Sequence, residues 1–237
     1  MPGTCQQRGD PTLPSDHIRW VFFDLGNTLI DESKPIADWI TQLIRVLQEN
    51  GFHATADDIN RAFLETAREF APKLIPRTLE ILIGDQLDIS VLLGQVRYKK
   101  ALEQPYPGTE TLLCTLSERF RLGIIANQPA GTKQRLSAYG LLKYFPVCLS
   151  STEERLEKPD PAIFERALSK AGCLPGEAVM VGDRLDNDIA PAQRLGWETI
   201  RVLQGFARVQ EPRSDMEKAH HVVRSIGEIT GLLCGGE

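Results

Sequence analysis

The residues Trp20-Val21-Phe22-Phe23 form a short, uninterrupted, aromatic-rich apolar run that stops at Asp24 and is closed by Gly26-Asn27. A run this short, without polar alternation and bounded by turn residues, reads as a strand buried on both faces, the kind found in parallel sheets. In open α/β sheets the ligand crevice lies just outside the carboxyl ends of the strands, and Asp24 stands at that end. A carboxylate there is costly unless something cationic meets it. A metal ion and a lysine are therefore the partners to seek downstream.

After the polar break Asp31-Glu32-Ser33-Lys34-Pro35 the pattern turns helical. Ile36, Ile40, Leu43, Ile44 and Leu47 lie on one face of a helix ending near Gly51. Thr55 is an N-cap, with Asp57 and Asp58 in the first turn. Ile59, Ala62, Phe63, Ala67 and Phe70 then share one face of a second helix. A third helix is expected over Thr78 to Ile83 and a fourth from Asp88 to Leu102. The Pro105-Tyr106-Pro107-Gly108 segment marks the return to alternating strands and helices. Apolar runs at 122–126, 147–150, 178–181 and 199–203, with a short one at Val222-Val223, are separated by helical stretches. Asp160 and Pro161 sit at the N-cap and first position of one such helix. Gly196 ends another, expected over Asp188 to Leu195, as a C′ glycine. The fold class is α/β: a doubly wound, Rossmann-like parallel sheet with an inserted α-helical cap. The expected division is a loose N-terminal arm over 1–17, a core of 18–32 with 105–237, and a helical module over 33–104.

With 237 residues, the chain can bury one core plus a smaller module. A formal charge of −5 without Lys/Arg clusters argues against a nucleic-acid surface. Five scattered cysteines, none at metal-ligand spacing, suit a reducing cytoplasm. The first seventeen residues lack the basic and apolar regions of a signal peptide, and no apolar stretch reaches the length of a membrane span. The oligomeric expectation is a monomer or homodimer.

Four strand ends carry the chemistry: Asp24, Asn127, Lys158 in the loop after the third strand, and Asp183 with Asp188. Several carboxylates beside one lysine make a hard-cation site adjoining a positive charge. That combination suits a phosphoryl group, whose oxygens the metal and lysine neutralise. Asp24, on the most buried strand, is the natural nucleophile. Asp186 competes with Asp188 for a metal. Lys73, Arg77, Arg97 and Lys99 are candidates for reading the substrate, and His53, His220 and His221 have no partner at informative spacing.

In their order these motifs resemble the haloacid dehalogenase superfamily from about Trp20 to Leu233. Asp24 and Thr28 match its Asp-x-Asp-x-Thr motif. The strand ending at Ala126-Asn127 matches the second motif in position, Lys158-Pro159-Asp160-Pro161 the third, and Gly182-Asp183 with Asp188 the fourth. The helical insertion is similar to the family's C1 cap. The resemblance implies a Mg²⁺-dependent phosphatase of a small phosphorylated metabolite, working through an aspartyl-phosphate at Asp24. It implies Lys158 as catalytic, with Thr28, Asn127 and Lys158 as phosphate contacts. Asp24, the Gly26 carbonyl, Asp183 and Asp188 become metal ligands, and Asp186 is left outward.

The chain departs from the pattern twice. Gly26 replaces the carboxylate that protonates the leaving group and activates water in family phosphatases. Ala126 replaces the motif-two hydroxyl. A general acid–base contributes about 10²–10⁴ in rate, and one oriented donor roughly 10²–10³. The alternative readings are a catalytically silent binding or regulatory protein, supported by Gly26 and Ala126, and a 2-haloacid dehalogenase. Family dehalogenases need no metal and lack the paired acidic loop.

Overall fold

The computed structural model describes residues 17–235. The expected N-terminal arm lies, His17 apart, outside them. The chain enters the sheet at β1 (Trp20–Phe23), makes the two-residue strand β2 (Ile30–Asp31), and then four helices in succession. These are α1 (Ser33–Glu49), α2 (Ala56–Arg68), α3 (Leu74–Ile83) and α4 (Ile89–Gln95). It returns through β3 (Gln104–Pro105), which pairs antiparallel with β2, so exit and re-entry share one two-stranded ribbon. There follow α5 (Thr109–Ser117), β4 (Arg121–Ala126), α6 (Thr132–Ala138), β5 (Val147–Ser150), α7 (Ser151–Glu154) and α8 (Pro161–Ala171). The remaining strands and α-helices are β6 (Ala178–Gly182), α9 (Ala190–Arg194), β7 (Glu198–Val202), β8 (His221–Val223) and α10 (Ile229–Cys234).

The main sheet has six parallel strands in the order β5-β4-β1-β6-β7-β8. The chain builds outward from β1 to β4 and β5, then crosses back to place β6 on the other flank of β1. The mouth of β1 is thus the point where strand order reverses, the place where such sheets hold their ligands. Strand pleating sends alternate residues to opposite faces. Val21 and Phe23 join one core cluster with Leu113, Ile124 and Ile229, while Trp20 and Phe22 join the other with Phe164 and Trp197. The Phe22 and Trp197 rings stand 5.1 Å apart, and Phe164 meets Trp197 edge-on at 5.7 Å. Full burial of β1 on both faces is what its unbroken apolar run requires.

The four helices of the insertion bury an apolar cluster of their own, built on Trp39, Leu43, Leu47, Ile59, Phe63 and Leu79. Thr55 caps α2 in a full capping box with Asp58, and Asp160 caps α8 with Pro161 behind it, both as the sequence predicts. Three boundaries within the insertion differ from expectation. Helix α3 starts at Leu74, because Pro76 falls in its first turn, where no N–H is needed. Helix α4 ends at Gln95: the chain there turns extended and runs beside α1. The Gln42 side chain accepts from Arg97 N and donates to its carbonyl, both at 3.0 Å. Phe70 lies beyond the end of α2 in the left-handed region, packed with Leu185 and Ile189. A second contact between insertion and sheet domain is the Phe63–Phe206 stack, with centroids 4.6 Å apart. Among the described residues no helix is long and apolar enough to cross a membrane.

Candidate active site

A cleft of about 190 Å³ opens at the mouth of β1 and is lined by Asp24, Gly26, Asn27, Glu32, Asn127, Lys158, Asp183 and Asp188, among others. Of the residues singled out from sequence as catalytic, phosphate or metal contacts, all meet here except Thr28. That residue is fully buried, its hydroxyl has no hydrogen-bond partner among the described residues, and it lies outside the cleft lining. It belongs to the turn beneath Asp24 and offers no surface to a bound phosphoryl group.

Lys158 is the centre of the cluster. Its ammonium, on a side chain only 2% exposed, donates to Asp24 Oδ1 at 2.6 Å and to Asp188 Oδ1 at 2.5 Å. Burial alone would lower the lysine's proton affinity. The two carboxylates outweigh it and hold the group above the ordinary lysine range. Asn127 secures the Lys158 backbone: its Nδ2 donates to the Lys158 carbonyl at 2.7 Å and its Oδ1 accepts from the Lys158 N–H at 2.8 Å. The Asn127 side chain is thus engaged by the Lys158 loop, leaving its backbone as the part able to meet a ligand.

Asp183 follows β6 directly, and Asp188 returns to the same spot through a π-helical turn, Leu185–Ile189. This turn replaces the start of the helix expected from Asp188. It lets Asp188 Oδ2 accept from Arg184 N at 3.0 Å. Gly182 makes room, since a Cβ there would stand 2.4 Å from Asp188 Cγ. Asp186 points away into an ion pair with Arg184 at 2.6 Å.

One carboxylate oxygen from each of Asp24, Asp183 and Asp188 can be chosen so that all lie within 4.8 Å of one another. Among the described residues no side chain hydrogen-bonds or ion-pairs with the Asp183 carboxylate, although it is 5% exposed. Burial first, and then the negative charges of Asp188 and Asp24, push Asp183 well above the usual carboxylate range. Burial raises Asp188 as well, to about 6, with Lys158 opposing the shift. A buried, unpaired carboxylate beside two others is a set of hard oxygen donors lacking its cation. The donor set fits Mg²⁺.

Glu32 was not foreseen from sequence. Its carboxylate accepts from Asn27 Nδ2 at 2.9 Å and faces the cleft. Burial and the neighbouring Glu103 and Asp24 raise its pKa to about 7. A larger cavity of about 440 Å³ adjoins the cleft at Asn27 and is lined by α1 residues with Asn60, Tyr106, Phe206 and Arg208. Lys73, Arg77, Arg97 and Lys99 line neither space. Arg77 is held by Glu69 and Glu80, and Lys99 by Asp38. The basic side chain at the larger cavity is Arg208.

Residues 18–196 match the model of the haloacid dehalogenase-like hydrolase family, and the chain belongs to that family of hydrolases. Glyceraldehyde 3-phosphate phosphatase of Methanopyrus kandleri is 33% identical over 209 residues, covering 84% of this chain and 89% of that protein. N-acylneuraminate-9-phosphatase of Mus musculus is 26% identical over 234 residues, covering 91% and 94%. Among solved structures, the chain is similar to an HAD phosphatase from Thermococcus onnurineus, with 25% identity and a TM-score of 0.62 over 92% of this chain and 99% of that one. It is also similar to 2-haloacid dehalogenase from Pseudomonas syringae, with 25% identity and a TM-score of 0.58 over 92% and 98%.

Proposed function

We propose that this hydrolase is a Mg²⁺-dependent phosphatase of a small phosphorylated metabolite. The observation that carries the reading is the Lys158 ammonium between Asp24 and Asp188, beside an unpaired, buried Asp183. The relatives named as phosphatases of glyceraldehyde 3-phosphate and N-acylneuraminate 9-phosphate support the substrate class. Asp24 attacks phosphorus and carries the phosphoryl group as an acyl phosphate until water releases it. Lys158 neutralises a phosphoryl oxygen and keeps Asp24 aimed. Asp24, the Gly26 carbonyl, Asp183 and Asp188 would hold Mg²⁺, which would supply charge neutralisation at the phosphoryl oxygens. The backbone N–H of Asn127 donates to the phosphoryl group where Ala126 has no hydroxyl. The helical insertion over 33–104 is the cap, and the larger cavity takes the leaving group.

The test is phosphate release, with and without Mg²⁺, from sugar, acyl and aryl phosphates, against Asp24→Asn protein as background. Turnover needing both Mg²⁺ and Asp24 supports the reading. Rates equal to background throughout favour a silent binding protein, the reading suggested by Gly26 and Ala126.

Two further results are expected. Asp183 carries a raised folded value, so without a cation its contribution to stability is present below the ordinary carboxylate value of 3.8 and lost as pH rises. Asp183→Asn is therefore expected to raise the Tm of the metal-free protein at pH 7 and to abolish the Mg²⁺-induced rise in Tm. An unchanged Mg²⁺ shift in that variant removes Asp183 from the ligand set. Gly182→Ala drives a methyl into the Asp188 carboxylate. Its Mg²⁺ affinity, read by calorimetry, is expected to fall about 10–100-fold; full affinity contradicts a ligand role for Asp188.

A further inference from the structure

Position 26 has no side chain, yet a carboxyl group stands in its place. A Cβ built on Gly26 would lie 2.6 Å from Glu32 Oε1 and 3.1 Å from its carboxyl carbon. The head group of Glu32 fills the volume that an acidic side chain at 26 would enter. Three local features put it there. Glu32 occupies the N-cap position of α1 but makes no capping bond with its side chain. Asp31 Oδ1 accepts from Ser33 N at 2.8 Å instead, so Glu32 is released from that duty. Asn27, at φ +56°, then grips Glu32 Oε2 through Nδ2 at 2.9 Å and leaves Oε1 toward Gly26. Glu32 lines the same cleft as Asp24, Lys158 and Asp183.

We propose that Glu32 is the proton-transfer carboxyl of this enzyme, reaching from the end of β2 into the space that Gly26 leaves open. The proposal rests on the phosphatase reading and deepens it. In the first half-reaction Asp24 forms a bond to phosphorus while the P–O bond to the leaving group breaks, and Glu32 donates its proton to the departing oxygen, giving the free alcohol. In the second, Glu32 takes a proton from the water whose oxygen attacks phosphorus. The bond between phosphorus and Asp24 breaks, inorganic phosphate leaves, and both carboxyl groups return to their starting states. Gly26 and Glu32 are then one arrangement: a side chain at 26 and this placement of Glu32 exclude each other.

The test compares kcat/KM, which reports the steps through departure of the leaving group, for an alkyl phosphate and for acetyl phosphate, whose leaving group needs no proton. Glu32→Gln in the full chain is expected to lower kcat/KM for the alkyl phosphate by about 10²–10⁴, and for acetyl phosphate by less than about tenfold. The double variant Gly26→Asp with Glu32→Ala moves the carboxylate to position 26 and is expected to regain alkyl phosphate turnover that Glu32→Ala alone lacks. Equal losses on both substrates in Glu32→Gln, or no loss on either, overturn the proposal. So does failure of the double variant to exceed Glu32→Ala when its Tm and Mg²⁺ affinity match wild type. The phosphatase reading fails separately, if wild-type turnover of both substrates equals that of Asp24→Asn.

Discussion

Asp24→Asn is expected to lower kcat/KM by at least ~10³-fold on every phosphorylated substrate the protein turns over, because on the proposed mechanism Asp24 is the carboxylate that forms the covalent intermediate and an amide cannot replace it. The same variant should melt within a few degrees of wild type. An amide oxygen at that position still accepts from Lys158, and removing one of three clustered carboxylates relieves repulsion within the set. Kinetic loss without structural loss is the informative combination. Retention of more than a tenth of wild-type activity would exclude Asp24 as nucleophile and leave the Lys158 cluster without a catalytic purpose.

The second large effect is on stability. Lys158 is buried with both carboxylate partners in hydrogen-bonding range, and removing one member of a buried ion set costs about 3–5 kcal/mol. Lys158→Ala should thus lower the Tm of the metal-free protein by roughly 6–20 °C, at about 2–4 °C per kcal/mol for a chain of this size. Saturating Mg²⁺ should recover part of the deficit, since it restores positive charge to the same oxygens. Adding Asp188→Asn should recover part as well, because the two positions are in direct contact and are not expected to be additive. A Tm within 2 °C of wild type would mean that the ammonium contributes nothing net to the fold.

The sheet was legible because each of its features has a local cause. An unbroken apolar run can only be a doubly buried strand or helix, and its length at Trp20–Phe23 excludes the helix. Asp160-Pro161 and Thr55 announce helix starts through their own hydrogen bonding. The site was legible in outline for the same reason, since its carboxylates sit next to strand ends. Residues whose roles depend on distant partners were not. Glu32 reads as part of a polar break; the two signals were the missing acid at position 26 and a carboxylate six residues on, and neither fixes where the side chain turns. Asn127 is placed at the site by its strand end, as a phosphate contact, but its side-chain grip on the Lys158 backbone spans two loops and has no local signal. The end of α4 is set by Gln42, more than fifty residues away. The ribbon of β2 and β3 has only two residues on each side, too few to show alternation.

That ribbon decides which part of the chain can reach the site. Asp24, Lys158, Asp183 and Asp188 stand at the rim of the main sheet, whereas Glu32 stands at the junction of β2 and α1. Asn27 ties Glu32 to the loop after β1 at 2.9 Å, and the Phe63–Phe206 stack and the seat of Phe70 against Leu185 and Ile189 hold the helices against the sheet. With Glu32 as the proton carrier on the proposed reading, the nucleophile comes from the sheet and the proton from the seam where the helices join it.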